Sequence, residues 1–213
     1  MQTTIVIVTF NSKIIHKCIR MLHKKFKIII VENSNNNKFK KDIERRYKNI
    51  KCILSGSNIG FARANNIGLK NVKTKFALLI NPDVIISIKQ IKTIETYAKK
   101  IKEFSVLAPN SNGFFETISN GFDKFTNVKE INFENIKSKL NKKKFFEIDF
   151  IPGWCMYLNM KDIKKINYFD KNFFLYYEDT DLCKRFKKLN KKLFVLGSIK
   201  IKHVFGASVE HKN

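Results

Sequence analysis

Apolar runs rich in β-branched residues alternate with helix-periodic stretches through the first half of the chain. In the first such stretch the apolar residues recur every three or four positions, which places them on one face of a helix. The predicted strands are Thr4–Thr9, Lys27–Val31, Ile50–Leu54, Phe76–Ile80 and Ser105–Ala108, and the predicted helices are Lys13–Lys24, Phe39–Tyr47, Ala62–Leu69 and Ser87–Ile101. Strands separated by helices at this rhythm predict right-handed βαβ units and a largely parallel sheet.

The pattern weakens after Pro109. Residues 110–144 are polar, rich in Asn and Lys and only weakly periodic, so we expect loops or a hairpin there. Regular patterns return with Phe146–Ile151, a helix near Lys161–Ile166 and a strand at Leu193–Leu196. No linker rich in Pro, Gly or Ser separates two domains, so residues 1–213 are expected to form one domain with halves 1–109 and 110–213.

Composition indicates a folded, non-membrane chain. With 213 residues and 44% hydrophobic content, the chain is long and apolar enough to form a sizeable core. No apolar run approaches the roughly 18–20 residues that cross a bilayer, and no secretory signal is recognised. The four cysteines lack metal or redox spacing, which favours buried thiols in a reducing cytoplasm; they are Cys18, Cys52, Cys155 and Cys183.

The formal net charge of +24, from 42 basic and 18 acidic residues, raises the question of an anionic partner. The lysines are spread over the chain, and no RNA-binding aromatic motif, zinc-ligand pattern or basic zipper accompanies them, which argues against specific nucleic-acid binding. A weak attraction to anionic lipid headgroups or phosphorylated substrates is still expected. We therefore place the protein in the cytoplasm, including the inner face of the cell membrane.

Polar residues follow three of the predicted strands. They are Thr9, Asn11, Glu32, Asn33, Asn81 and Asp83. Such residues ordinarily terminate strands or cap helices. Ligands of open α/β sheets bind at the carboxyl ends of the strands, however, so three polar ends on one edge favour a ligand site.

The segment Asn58–Asn66 is a second candidate for ligand binding. Gly60 permits close approach of a ligand, and the helix that follows it presents free N–H groups, with Arg63 and Asn65 as further donors for phosphate or sugar oxygens. The alternative is a simple loop-to-helix junction capped by Asn. The segment is neither a P-loop nor a dinucleotide-binding fingerprint.

Asp83 is a candidate metal ligand. Pro82 stiffens the turn before it and restricts Asn81 to extended conformations. One carboxylate together with substrate phosphates is a common way to hold Mg²⁺ or Mn²⁺. His203 is a candidate second ligand, although a lone His after a strand is more often structural.

The segment Phe173–Leu182 joins an aromatic run to three carboxylates, Glu178, Asp179 and Asp181. Carboxylates held against an apolar wall have raised pKa values and can act as general bases. The alternative is an acidic helix start, in which Asp181 pairs with Arg185 one turn later.

Taken in order, these motifs resemble those of glycosyltransferase family 2, and most of all its rhamnosyltransferase-like branch. The resemblance runs from about Thr4 to Ser208 and rests on Val8–Asn11, Val31–Ser34, Asn58–Ala62, Asn81–Asp83, Gly153–Trp154, Glu178–Asp181 and His203. It implies the GT-A fold, with a mixed, mostly parallel sheet flanked by helices. It also implies an inverting sugar transfer from a nucleotide diphosphate donor, with dTDP-rhamnose leading over UDP- and GDP-sugars. The implied acceptor is a polysaccharide or a lipid-linked glycan.

The resemblance also implies roles for individual residues. The first half would bind the donor, through Thr9, Asn11, Glu32, Asn33, Asn58, Gly60, Phe61, Arg63, Asn65 and Asn81. Asp83 and His203 would hold Mn²⁺ or Mg²⁺ against the diphosphate. Asp179 would be the catalytic base, and the acceptor would contact Trp154, Glu178 and Asp181.

Two residues depart from the family pattern. Glu32 stands where Asp is usual, which places the carboxylate more than an ångström away, and Asn81 replaces the first acid of the Asp-x-Asp motif. Three alternatives stay open: a non-catalytic nucleotide-sugar-binding relative, a basic membrane- or RNA-associated module, and a nucleotidyltransferase. The last is expected to carry a Gly-rich basic loop after the first strand, and Val8–Asn11 contains none.

Overall fold

The computed structural model describes residues 2–111 and 133–204. The strands are β1 (Thr3–Thr9), β2 (Lys27–Glu32), β3 (Ile50–Leu54), β4 (Phe76–Ile80), β5 (Val84–Ile85), β6 (Phe104–Ser111), β7 (Phe146–Glu147), β8 (Cys155–Asn159) and β9 (Lys192–His203). The helices are α1 (Ile15–Ile19), α2 (Asn37–Arg46), α3 (Phe61–Lys70), α4 (Ile88–Lys100), α5 (Phe133–Lys142), α6 (Met160–Lys165) and α7 (Glu178–Lys188), with a 3₁₀ helix at Leu22–Lys24. None of these helices combines the length and apolar content needed to cross a membrane.

In the described residues the strands form one mixed sheet in the order β3-β2-β1-β4-β8-β6-β9-β5, with β7 beside β9. The β3-β2-β1-β4 part is parallel, as the sequence predicts. Every position of β1 is buried, because a parallel strand is covered on both faces. The core extends from this strand across the sheet to the helices packed against it.

The sequence predicts neither the two-residue β5 nor β8. β8 lies antiparallel between β4 and β6, with Ile80 opposite Cys155 and Leu107 opposite Tyr157. Its Met and Leu residues are good helix formers, so local preference gives no strand signal. Its pairing joins the two halves of the chain in a single sheet.

Two other predictions were wrong in part. The helix predicted over Lys13–Lys24 ends at Ile19 and resumes as a 3₁₀ helix at Leu22, although its apolar face is buried as expected. The predicted loop or hairpin region contains α5, an amphipathic helix over Phe133–Lys142. Residues 112–132 lie outside the described part of the chain, and so does Ser208.

The strand directions bring the polar residues to one edge of the sheet. β1, β2 and β4 run parallel and end there, whereas β8 runs the other way and begins there. The N–H of Asn81 donates a 3.0 Å hydrogen bond to the carbonyl of Trp154 across this edge. β9 runs parallel to β6 and ends at the same edge with His203.

Candidate functional site

Asp83 and His203 are in direct contact. The N–H of Val84 donates to the carbonyl of Asn81, closing a turn around Pro82, and Val84 then pairs with His203 in the β5–β9 ladder. This arrangement places Asp83 Oδ1 3.1 Å from His203 Nε2. Asp83 is only 2% exposed. The structure thus brings together the two predicted metal ligands, which are far apart in sequence.

The geometry of this pair fits a divalent cation. Two adjacent ligands of an octahedral Mg²⁺, each about 2.1 Å from the metal, lie about 3 Å apart, close to the 3.1 Å between Oδ1 and Nε2. A carboxylate oxygen and an imidazole nitrogen are also a donor pair that Mn²⁺ accepts. Within residues 2–111 and 133–204 no group of three or more His, Cys, Asp or Glu side chains suits a metal. Substrate oxygens would therefore have to supply the remaining ligands.

Trp154 does not present the open acceptor floor that the resemblance implies. Its side chain is 6% exposed, and its ring stacks on that of His203 with centroids 5.1 Å apart and an interplanar angle of 26°. The indole ring therefore fixes the imidazole plane and leaves little surface for an acceptor sugar. Contact between Trp154 and an acceptor therefore remains a prediction, and the structure shows its stacking on His203.

Glu32 lies buried at the end of β2. Its Oε1 accepts hydrogen bonds from Asn11 N at 3.1 Å and from the Ser34 hydroxyl at 2.8 Å. Its Oε2 is buried and has no hydrogen-bond partner in the described structure, and the same holds for the Thr9 hydroxyl on the adjacent strand. Burial raises the pKa of Glu32.

Asn11 is positioned by a left-handed backbone, with φ of 51°. This conformation, which Asn tolerates better than most residues, turns its N–H toward Glu32. Glu32 has a longer side chain than the Asp that is usual at this position. The hydrogen bonds from Asn11 N and from the Ser34 hydroxyl hold its carboxylate in place.

Asn33 holds the Asn58–Gly60 loop against the end of β2. Its Nδ2 donates to Asn58 Oδ1 at 2.9 Å, and its Oδ1 accepts from Ile59 N at 3.1 Å. Asn58 Oδ1 also accepts from Gly60 N at 3.2 Å. The structure thus uses the amides of Asn33 and Asn58 to shape the loop.

Gly60 is the point where this loop meets the second half of the chain. Its φ is 85°, in the region that favours glycine, and an added Cβ would lie 2.5 Å from the carbonyl oxygen of Phe174. The same carbonyl accepts a 2.7 Å hydrogen bond from the N–H of Phe61, the first residue of α3. The predicted donor loop and the segment that leads to the carboxylates are therefore in contact.

Three polar side chains of α3 lie along this contact. Arg63 Nε donates to the carbonyl of Lys171 at 2.8 Å. Asn66, which the sequence analysis missed, makes two bonds to the backbone of Phe169, as donor at 2.8 Å and as acceptor at 3.0 Å. Asn65 is buried and donates to the carbonyl of Phe61, while its Oδ1 has no partner among the described residues. Asn66 follows Arg63 by three residues and therefore lies on the same face of the helix. This spacing could have identified Asn66 from the sequence.

The three carboxylates at the start of α7 occupy different environments. Asp179 is half-buried, and its Oδ2 accepts a 2.9 Å hydrogen bond from Gly153 N, while Oδ1 accepts from Thr180 N at 2.7 Å. Glu178 is 5% exposed, and its Oε2 has no hydrogen-bond partner in the described structure. Burial, with a smaller contribution from the charge of Asp179, raises the pKa of Glu178 to about 7. Burial also raises the pKa of Asp179.

Asp181 forms the pair predicted for an acidic helix start. Its Oδ2 accepts a 2.7 Å bond from Arg185 Nε, and Arg185 Nη1 donates to the carbonyls of Ile166 and Tyr168 at 2.7 Å each. This arrangement stabilises the approach to α7 and engages Asp181 in the protein itself. The acceptor-binding role of Asp181 remains a prediction.

The aromatic run does not form the apolar wall that the sequence analysis predicts. Phe174, Leu175, Tyr176 and Tyr177 are all exposed. The raised pKa values of Glu178 and Asp179 come from burial of the carboxylates at the start of α7.

Curated relatives were found with low sequence identity. Rhamnosyltransferase WbbL of Escherichia coli is 27% identical over 186 residues, covering 74% of this chain and 65% of its own length. The low-salt glycan biosynthesis hexosyltransferase Agl10 of Haloferax volcanii is 24% identical over 200 residues, covering 88% of this chain and 62% of its own length. The chain thus spans less than two thirds of either relative.

Solved structures share the fold. Mannosyltransferase PcManGT from Pyrobaculum calidifontis, in complex with GDP-Man and Mn²⁺, superposes with a TM-score of 0.69 at 9% identity, covering 97% of this chain and 58% of that one. The fold is therefore GT-A, as the sequence analysis expects. The model of the family described as "Glycosyl transferase family 2" matches residues 4–167. Together with the geometry of the sheet edge, this match shows that the chain belongs to glycosyl transferase family 2.

Proposed function

We propose that the chain transfers a sugar from a nucleotide diphosphate donor to a hydroxyl group of a glycan, with inversion at the anomeric carbon. The observation that carries the proposal is the contact between the Gly60–Phe61 junction and Phe174. It sets the proposed diphosphate-sugar path beside the segment that ends in Asp179. A transferase needs this proximity, because donor and acceptor must react within one site.

The proposed donor is dTDP-rhamnose, and the proposed acceptor is a polysaccharide or a lipid-linked glycan. The rhamnosyltransferase name of one relative and the motif order support the sugar. Glu32 Oε2 and the Thr9 hydroxyl have no hydrogen-bond partner in the described structure, and thymine and uracil offer an N3–H donor beside carbonyl acceptors. Because Glu32 is fully buried, a base would reach these atoms only after the ends of β1 and β2 rearrange.

Asp83 and His203 would hold Mn²⁺ or Mg²⁺ beside the diphosphate. The cation supplies charge stabilisation for the departing diphosphate. Trp154 holds the imidazole plane and Pro82 stiffens the turn that carries the carboxylate. A structural neighbour with GDP-Man and Mn²⁺ supports the use of a metal with this fold.

Asp179 is the proposed base for the acceptor hydroxyl. Gly153 N orients its Oδ2, and the side chain is accessible enough for an acceptor to reach it. Glu178 is nearly fully buried, so an acceptor hydroxyl cannot reach it without rearrangement. Its ionisation places a second negative charge beside Asp179, which makes Asp179 the stronger base.

A thermal-shift screen of nucleoside diphosphates and their sugars, with and without Mn²⁺, tests donor binding, since ligands of the native state raise its melting temperature. Product formation from the stabilising donor, with rhamnan or lipid-linked glycan acceptors, then tests transfer. Binding without transfer or donor hydrolysis would favour a non-catalytic relative. Absence of any nucleotide response would contradict the proposal, and a salt-resistant response to RNA would favour an RNA-binding module.

A further inference from the structure

Four consecutive large side chains lie exposed immediately before α7. The exposed fractions are 56% for Phe174, 51% for Leu175, 70% for Tyr176 and 41% for Tyr177. Elsewhere in residues 2–111 and 133–204, large exposed apolar side chains occur singly along the chain, at Phe10, Met21, Ile85, Phe145 and Leu189. A contiguous apolar segment at the surface marks an interaction site more often than scattered single residues do.

The shape of the segment distinguishes it from a sugar-stacking platform. A platform presents one face of one ring, whereas here four successive side chains are exposed. Tyr176 and Tyr177 have φ values of 68° and 65°, in the left-handed region that bulky residues rarely adopt. The fold thus maintains an unfavourable local backbone that presents apolar side chains to the outside.

The base of the tip is fixed by the hydrogen bonds described above. Phe61 N holds the Phe174 carbonyl, Asn66 holds both backbone groups of Phe169, and Arg185 holds the carbonyl of Tyr168. A fixed base means that the exposed residues need little ordering when they bind a partner.

Exposed lysines outnumber the unpaired acids in the residues around the tip. Lys164, Lys165 and Lys171 are exposed in the residues before it. Among the acids, Asp181 pairs with Arg185 and Glu178 is buried, whereas Asp170 and Asp179 are half-buried. The full chain carries a formal charge of +24. Apolar and aromatic side chains flanked by lysines match the interface of an anionic bilayer.

We propose that the segment Phe174–Tyr177, here called the aromatic tip, inserts into the headgroup region of an anionic lipid bilayer and docks the protein there. This goes beyond the proposed function and localises the expected membrane attraction to one segment. The neighbouring carboxylates would then face acceptors carried on lipid, a consequence that rests on the proposed function. Docking itself requires neither donor nor acceptor.

A fluorescent label reports insertion directly. The four native cysteines are buried, and burial raises the pKa of each thiol, so a cysteine placed at an exposed position reacts selectively. We expect an environment-sensitive label on Leu175→Cys to shift to the blue with vesicles of phosphatidylcholine and phosphatidylglycerol. The same label on Met21→Cys, also exposed, should not shift. Equal shifts at both positions, or none at Leu175→Cys, would overturn the proposal.

A paired substitution measures the contribution of the tip. Leu175→Ser combined with Tyr176→Asn removes apolar area from the tip. Asn was chosen at position 176 because it tolerates the φ of 68° found there. Binding to the same vesicles should fall about tenfold or more, whereas Met21→Ser combined with Leu189→Ser should change it little. Thermal unfolding of both variants checks that the fold is kept.

The outcomes also separate this proposal from the alternatives. Vesicles of phosphatidylcholine alone should bind the wild type much less than the anionic vesicles do. Unchanged vesicle binding by the tip variant, with loss of transfer to a soluble glycan, would overturn docking and assign the tip to the acceptor. Nucleotide binding is measured separately by thermal shift, so failure of the proposed function is distinguishable from failure of docking.

Discussion

The N–H of Phe61 donates a 2.7 Å hydrogen bond to the carbonyl of Phe174. Because Phe61 begins α3, one of the free N–H groups of its first turn is satisfied by the second half of the chain. The Gly60 backbone packs against the same residue. The loop that ends at Gly60 is therefore in direct contact with the segment that precedes the carboxylates.

Gly60→Ala should destabilise the protein and reduce transfer together. The substitution forces a Cβ against the Phe174 carbonyl at 2.5 Å and imposes φ of 85° on an Ala. We expect a loss of about 2–4 kcal/mol in the free energy of unfolding, from strain and clash combined. Denaturant unfolding and steady-state kinetics measure the two effects.

Gly56→Ala is the matched control for this change. Its φ is 86°, but an added Cβ there meets nothing within 4 Å. It should cost only about 1 kcal/mol, from the backbone strain alone. Equal losses for the two variants would show that the contact with Phe174 is unimportant.

Asp179→Asn should reduce kcat about 10²–10⁴-fold with nearly unchanged donor affinity, because it keeps the shape but removes the proton acceptor. Single-turnover kinetics with saturating donor measures the chemical step. Asp181→Asn, the control, should mainly lower stability by about 1 kcal/mol, since its partner Arg185 is partly exposed. Near-normal turnover of Asp179→Asn would move the base to another carboxylate.

Asp83→Ala should abolish the Mn²⁺-dependent part of nucleotide binding. The carboxylate and His203 Nε2 lie 3.1 Å apart, and removing one of them leaves a single protein ligand. Isothermal calorimetry with dTDP and UDP, with Mn²⁺ and with a chelator, separates the metal-dependent affinity from the remainder. Asp42→Ala, which removes an acid on α2 away from the sheet edge, should leave both values unchanged.

Glu178 should make the protein less stable as the pH rises. Its pKa is about 7 in the folded state against 4.5 for a freely solvated Glu side chain, so the folded state binds the proton more tightly. Stability is greatest below the lower value and falls as the pH rises through about 7, by about 3 kcal/mol in total.

Glu178→Gln tests this dependence. The variant keeps a neutral side chain at every pH, so it should gain stability over the wild type at about pH 8 and lose that advantage near about pH 5. Denaturant unfolding of both proteins at the two pH values measures the difference between their free energies of unfolding. The other titrating groups contribute equally to both proteins and therefore cancel in this difference. A gap that does not change with pH would mean that Glu178 is not the group that titrates.

Much of the first half could be predicted from the sequence, because its information is local. Buried parallel strands show as apolar runs, and the ends of β3 and β4 agree with the predicted bounds. β8 was missed because its strand character comes from neighbours distant in sequence, whose pairing overrides the local preference of its Met and Leu.

For the candidate site, residue types were predictable but their contacts were not. Asp83 and His203 were predicted together because of their chemistry, and the structure places them in contact. The surroundings of Trp154 and the aromatic tip were predicted wrongly, since periodicity does not tell which face of a loop is buried. Asn66 was missed because an Asn inside a helix gives no sign of the backbone it binds.

The interleaving of β8 and β9 with earlier strands also determines when the site can form during synthesis. The β3-β2-β1-β4 region is built from the first four strands of the chain, so all of its strands are present once about the first 80 residues have left the ribosome. Asp83 then waits for His203, which arrives 120 residues later and enters through the slow pairing of distant strands. A nascent chain that has stalled before this point therefore has the strands of this region but lacks the contact between Asp83 and His203, on which the proposed metal site depends.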